Sequence, residues 1–454
     1  MSINLTYLVI ISLLVMVFIA TRNIKSSEKE YFVLNKSEKT FGLTMSFYAS
    51  GMGLWILTSP AEVAWYGLGY DIYGYALSAA TPFILIYIFG PRISKLLPGG
   101  VTLAQFIEKK YGSFAQKIVS IVAIIYMSAF LIAEFASISF LFESISDVSG
   151  IVVSSLVAAT TFLYLNKSGF KASYVTDKIQ GVGIILLLTL LFGLWFSQNS
   201  FDEITNFANL GGLSTFETYS LKSALAVVIA VTAAEIFSTG YWQRTFSAVD
   251  ETTIKKASVY SGLGVFITIL LLGVAGAVGA GKGLETPTLS FIDQLSLNSL
   301  TVLVLISLAT LLVTSSVDTL ENAISSTISI DIVKKGSKEA NNITLAVVVL
   351  ALFASTRVTN IFTVFLVADL FATSLVFPAF YKIKKASKNM MLVVPFSGSL
   401  VSVFLYRYLF IDLQENPGGL FVPTDLYGLA DLNTFAVALL SSVIFTLVMD
   451  KFNK

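Results

Sequence analysis

Apolar runs of about 20 residues, long enough to cross a bilayer core as a helix, recur thirteen times along the chain. They fall near residues 5–21, 40–67, 72–90, 115–142, 150–165, 174–197, 221–242, 255–280, 297–330, 341–355, 359–381, 389–411 and 430–449, with short polar connections between them. Barrel strands would be about half as long and would alternate apolar with polar. The pattern therefore predicts an all-α integral membrane protein. The first run lacks a preceding basic residue and a following small-residue cleavage site, so it reads as a retained helix and not a signal peptide. In GGVTLAQFIEKKYGS, 99–113, Thr102 precedes a short amphipathic run and predicts an interfacial helix. The longest connections, 198–220 and 412–429, carry Asp, Asn, Gly and Pro and read as external loops.

Charge placement tests this count, because cytoplasmic connections retain Lys and Arg. With the N-terminus outside, all 29 Lys and Arg except Lys222, Lys282, Arg357 and Arg407 fall on the cytoplasmic side. Dropping a span in the middle would scramble that bias. The expected topology is thus a multi-pass protein of the cell membrane, N-terminus outside and C-terminus cytoplasmic.

Composition then narrows the chemistry. Hydrophobic residues make up 55% and charged residues 13%, and both Cys and His are absent. Disulfides, thiolate nucleophiles, transition-metal sites and imidazole proton shuttles are excluded together. A net charge of +1 gives no global bias toward nucleic acid. Carboxylates, hydroxyls and backbone carbonyls remain.

Seven acids lie within predicted spans: Glu62, Glu134, Asp177, Glu235, Asp318, Glu321 and Asp369. A carboxylate at that depth requires a partner, a proton or water, and the charge pattern places no Lys or Arg beside them. A cation from solution is one candidate partner. In LVTSSVDTLENAISS, 312–326, Ser315, Asp318, Thr319, Asn322, Ser325 and Ser326 recur at helical spacing and form a polar stripe. Hydroxyls alone would suit interhelical hydrogen bonds. With the two acids the stripe also suits a hard cation, which needs an irregular helix nearby to supply free carbonyls. FYASGMGLWILTSPAEVAWYGLGY, 47–70, with Gly51, Gly53 and Pro60, is one such segment; VTAAEIFSTGYWQR, 231–244, with Glu235, Ser238 and Gly240, is another. Glycine-rich packing is the alternative for both. These two segments begin corresponding five-helix blocks, 40–197 and 221–381, which start on opposite sides of the membrane.

The order of one helix (5–21), five, five inverted, then two more (389–449) resembles the sodium/solute symporter family, whose fold is the LeuT-type inverted repeat in a single transmembrane domain. TSSVDTLENAISSTISIDIVKK, 314–335, is similar to that family's eighth core helix, YVTDKIQG, 174–181, to its fifth, and YWQR, 241–244, to the end of its sixth. The resemblance implies a sodium site formed by the Ser315 and Ser316 hydroxyls, the Leu312 carbonyl and carbonyls near Tyr48 and Gly51. It also implies that Asp177 faces that site and, in some members, a further sodium. As a helix N-terminal acid, Asp177 has a plainer explanation. Asp318, Glu321 and the SPAE segment depart from the family pattern.

The resulting expectation is a sodium-coupled symporter importing a small polar solute, with no enzyme activity, cofactor or obligate protein partner. The acid excess favours a neutral, zwitterionic or cationic solute of amino-acid, urea or amine type. Gly53, Trp55, Glu62, Glu134, Glu235, Ser238 and Asp318 are the candidate substrate contacts. Trp55, Trp65 and Trp242 are candidates to line or close the pocket, with interfacial anchoring as the alternative. A proton-coupled carrier using Asp177 or Asp318, and a passive channel, are the rival readings. GAVGAGKG, 276–283, resembles a phosphate loop but lacks its final Ser or Thr and its preceding strand, so its glycines read as helix packing.

Overall fold

The computed structural model describes residues 3–34, 36–146, 148–358, 361–411, 418–425 and 428–452. In order, the helices are α1 (Ile3–Thr21), α2 (Glu28–Phe32), α3 (Thr40–Gly51), α4 (Ser59–Tyr66), α5 (Gly69–Leu96), α6 (Leu103–Tyr111), α7 (Ser113–Ser146), α8 (Gly150–Gln198) and α9 (Phe201–Leu210). There follow α10 (Thr218–Glu235), α11 (Thr239–Ser247), α12 (Glu251–Gly281), α13 (Ser299–Thr327), α14 (Ser337–Ser355), α15 (Ile361–Phe380), α16 (Met390–Phe410) and α17 (Leu432–Phe452). Nine of these, among the described residues, are long and apolar enough to cross a bilayer, and α1 and α14 contain shorter apolar helices. At 49 residues, α8 extends about 74 Å, more than twice a bilayer core. It turns at Gly169, whose φ of 51° and ψ of −137° break the helix into two spans. With α3 and α4 as two halves of one crossing, all thirteen predicted spans have helical counterparts. Positions 359–360, parts of the 412–429 connection and Lys454 lie outside the described residues.

Gly169 shows why that turn is specified. A methyl group there would lie 2.4 Å from the Tyr31 carbonyl, and its positive φ suits glycine. The inner elements are α3, α10, α11 and α13, which pack against α5, α7, α8 and α12. The pairing of α16 with α17 forms a unit beside α15. Leu186, Leu350, Phe404 and Leu440 remain exposed on the outer wall, as a lipid-facing surface requires.

Two predictions require revision in detail. The 198–220 connection contains α9, capped by Ser200 and Glu203 in a reciprocal box; the S-x-x-E spacing was present in the sequence. The predicted interfacial helix is α6, and its Thr102 cap accepts from the Gln105 N–H at 3.1 Å. However, Leu103, Phe106, Ile107 and Lys110 are buried, so α6 is tucked into the protein. The glycines of 273–279 do pack closely: methyl groups on Gly276 and Gly279 would lie 2.5 Å from Ala61 Cα and 2.6 Å from the Ser290 carbonyl.

Candidate functional site

The first core crossing breaks after Gly51. Met52 leaves helical geometry, and its N–H donates to the Ala49 carbonyl at 3.1 Å instead of to Tyr48. The Leu54 N–H donates to Glu134 Oε2 at 2.9 Å instead of to Ser50. The Tyr48 and Ser50 carbonyls thereby lose the donors that a continuous helix would supply. Glu134, fully buried on α7, fills the break so closely that a methyl group on Gly53 would lie 1.7 Å from its Oε1. The Tyr48 side chain turns toward α12, bonding Thr268 at 2.9 Å.

The second break separates α10 from α11 at Ile236 to Ser238. Glu235 ends α10 and faces the Tyr126 and Tyr241 hydroxyls. A narrow cavity of about 40 Å³ lies between the two broken crossings and is lined by Trp55, Tyr75, Phe130, Tyr241, Glu235 and Asp369, among others. Its lining includes no Lys or Arg. Asp369 Oδ2 and Trp55 Nε1 are buried without hydrogen-bond partners. A smaller adjoining cavity brings Ser50 and Ser316 together with Glu235 and Ser238.

Along α13, Ser315 Oγ donates to Asp177 Oδ1 at 2.9 Å, and Ser316 Oγ donates to the Leu312 carbonyl at 3.1 Å. Asp177 also accepts from Ser46 Oγ on α3 at 2.7 Å, joining the broken helix to α13 through one carboxylate. The expectation that no base would lie beside the buried acids fails here. Arg244, fully buried, forms a short charge-assisted contact with Asp177 Oδ2. Its remaining donors reach Ser46 Oγ, the Gly240 carbonyl and Thr319 Oγ1, each at 2.8 Å. The YWQR segment was legible, but the charge pattern had assigned its arginine to the cytoplasmic surface.

The candidate substrate residues divide. Trp55 and Glu235 line the main cavity, together with Gly51 of the expected sodium site, and Ser238 lines the adjoining one. Gly53 and Glu134 occupy the helix break. Asp318 faces α8, where Tyr164, Ser173 and Thr176 hydroxyls bond it at 2.6, 2.9 and 3.0 Å. Asp318 and the partly exposed Glu62 are absent from the lining of both cavities. Trp242 is buried, with Nε1 bonded to the Ile236 carbonyl at 2.6 Å, while Trp65 is partly exposed. Asp369 is the cavity residue that sequence depth identified as an acid but did not place with the substrate candidates.

No family model matches the chain. It is 23% identical to a spermidine transporter of Candida albicans (strain SC5314) over 441 residues, covering 93% of this chain and 84% of the relative. Among solved structures, a substrate-bound, outward-open sodium-coupled sialic acid symporter superposes with a TM-score of 0.79 at 15% identity, covering 98% of each chain. A nucleobase-cation-symport-1 family transporter, closed with bromovinylhydantoin bound, gives a TM-score of 0.57 at 11% identity, over 93% of this chain and 95% of the other. MhsT in complex with L-phenylalanine gives 0.57 at 13% identity, over 93% of this chain and all of the other. The fold is the LeuT-type inverted repeat, and the protein is a multi-pass membrane protein.

Proposed function

We propose that this chain is a cell-membrane secondary transporter of the sodium/solute symporter type, with its N-terminus outside, importing a small organic amine, polyamines included, coupled to sodium. The observation that carries the substrate class is the central cavity: two carboxylates, Glu235 and Asp369, set among aromatic rings without a basic side chain. Carboxylates neutralise an ammonium group, and aromatic faces attract it through their quadrupoles while accommodating a methylene chain. The unpaired Asp369 oxygen is an acceptor awaiting a donor. The spermidine transporter similar to this chain acts on a solute of that chemistry.

Sodium coupling is supported by the hydroxyl pair Ser315 and Ser316 beside the broken end of α3, with Leu312, Tyr48 and Gly51 as carbonyl candidates and Asp177 as the charged neighbour. An ion at that point joins α3 to α13 and favours the state in which both approach, and a solute favouring the same state raises the ion's affinity. The test is uptake of radiolabelled spermidine and putrescine into proteoliposomes under an inward sodium gradient. Accumulation should require sodium and should disappear in Ser315→Ala/Ser316→Ala. Uptake driven equally by a pH gradient without sodium selects the proton-coupled reading. Equilibration without accumulation selects the passive channel.

A further inference from the structure

Away from the cavity and the proposed sodium site, the C-terminal ends of α5 and α15 meet where the Phe89 and Phe380 rings pack at 4.7 Å. An open pocket of about 670 Å³ beside them is lined by Arg92, Lys382, Ile383, Lys384 and Lys385, with no acid in its wall. The turn that bears the lysines is fixed from several sides. Lys382 takes a left-handed φ of 46°, the Lys385 N–H donates to the Lys382 carbonyl at 2.9 Å, and the Ser387 N–H donates to the Lys110 carbonyl at 2.7 Å. Asp450 approaches this turn but is held by Lys382 Nζ at 2.6 Å and the Tyr381 hydroxyl at 3.2 Å. Lys95, Lys171, Lys178 and Lys334 likewise find Glu251, Glu30, Glu38 and Glu108. Arg92, Lys384 and Lys385 are exposed and have no ion pair among the described residues. Retention of positive charge on one side of a membrane accounts for the side they occupy. It does not account for three uncompensated charges converging on one pocket.

The face of α5 below the pocket points to the occupant. Leu77, Ile84, Ile88 and Arg92 recur at seven- and four-residue steps and so share one side of the helix. The three apolar residues are 45, 52 and 40% exposed, an apolar stripe in the bilayer-facing wall that leads directly to Arg92. A soluble anion would use the charges alone, whereas a phospholipid uses the charges and the stripe together. We propose that this pocket holds the headgroup of an anionic phospholipid, with an acyl chain laid along the Leu77, Ile84 and Ile88 face of α5. Basic pockets between membrane helices recognise such headgroups. Arg92 offers a planar fork to two phosphate oxygens, and Lys384 and Lys385 add flexible point charges. Because the turn is already fixed, binding orders side chains without ordering backbone. The lipid bridges α5 and α15, the helices that contribute Tyr75 and Asp369 to the cavity wall, and its occupancy favours the state in which their ends stay together.

Titration of the purified full chain in neutral detergent with phosphatidylglycerol, and separately with phosphatidylcholine, tests the assignment by native mass spectrometry. Wild type should hold one phosphatidylglycerol about tenfold or more tighter than phosphatidylcholine. Each basic residue near a membrane surface contributes about fivefold, so Arg92→Gln should weaken that lipid about fivefold and Lys384→Gln/Lys385→Gln about 25-fold. Phosphatidylcholine binding should not change in either. Lys25→Gln/Lys29→Gln, which removes the same charge beside α2 and outside the pocket, should bind as wild type does. Melting in phosphatidylcholine, unchanged for all three variants, separates loss of the lipid from misfolding. Inorganic phosphate in large excess should leave phosphatidylglycerol bound. Equal affinity of wild type for the two lipids, or wild-type affinity for phosphatidylglycerol in both pocket variants, overturns the site. An equal loss in Lys25→Gln/Lys29→Gln overturns it as well, since the attraction then belongs to the whole basic face. Displacement by inorganic phosphate assigns the pocket to a soluble anion and overturns the lipid.

Discussion

Replacing Arg244 by Gln asks how much one buried arginine contributes to holding the inner helices together. Arg244 connects α11 to α3, α8 and α13, and the change leaves Asp177 charged and enclosed with only Ser46 and Ser315 as donors. Breaking one side of a buried ion pair costs about 3–5 kcal/mol, and the two remaining hydroxyls place this case near the lower end. At about 2.1 cal/mol/K of unfolding entropy per residue, a chain of 454 residues loses about 1 °C in Tm per kcal/mol. The expected drop is about 3 °C, larger if detergent-held helices persist and reduce the unfolding entropy. Melting followed by tryptophan fluorescence in sodium-free detergent supplies the readout. Arg244→Gln/Asp177→Asn removes both charges and should recover at least half the loss, because the cost resides in the unpaired carboxylate. Sodium should stabilise Arg244→Gln more than wild type, as a mobile cation replaces the tethered one. A single variant melting within 1 °C of wild type, or a double variant showing the sum of both losses, would refute the reasoning.

In the central cavity, Glu235→Gln and Asp369→Asn should each weaken amine binding about 10–100-fold, the range for a lost charge-assisted hydrogen bond. Competition binding of spermidine checks this, and equal weakening of an uncharged solute would contradict an ammonium-specific role. Gly53→Ala should destabilise the chain by about 1–3 kcal/mol through overlap with Glu134; adding Glu134→Ala should recover part of the loss in the same melting assay. Burial lowers the Lys110 ammonium to about 7, although its carbonyl acceptors at the end of α15 favour the charged form. Since the unfolded chain retains that proton to higher pH, stability should rise between about pH 7 and the ordinary lysine range. Lys110→Met should lose that rise, and an identical pH profile would exclude the group as its source.

The crossings were legible because bilayer thickness imposes a length on each apolar run and positive charge marks alternate connections. The break at Gly51 to Gly53 was legible for a local reason: these residues weaken a helix wherever they stand. Ser315 and Ser316 were placed beside the broken segment by the family resemblance. Arg244 was misplaced because sequence position gives a residue's nearest membrane face but not whether a neighbouring helix covers it. Asp369 carried no motif, and its relation to Glu235 depends on α15 meeting α10, across a separation that local spacing cannot encode.

Depth made the seven acids look alike, whereas tertiary partners distinguish them. Asp177 receives an arginine, Glu134 a backbone N–H freed by a broken helix, and Glu235 a pair of tyrosine hydroxyls beside the cavity. Asp318 and Glu321 receive hydroxyls from α8 residues 142–160 positions away. Those hydroxyls converge because Gly169 turns the chain between Tyr164 and Ser173, bringing the two α8 segments to the same side of α13. A single left-handed glycine thus controls the environment of two acids on another helix. Their chemistry follows from that bend as much as from their own residue types, since the hydroxyls that receive them belong to a helix pair which only the bend brings together.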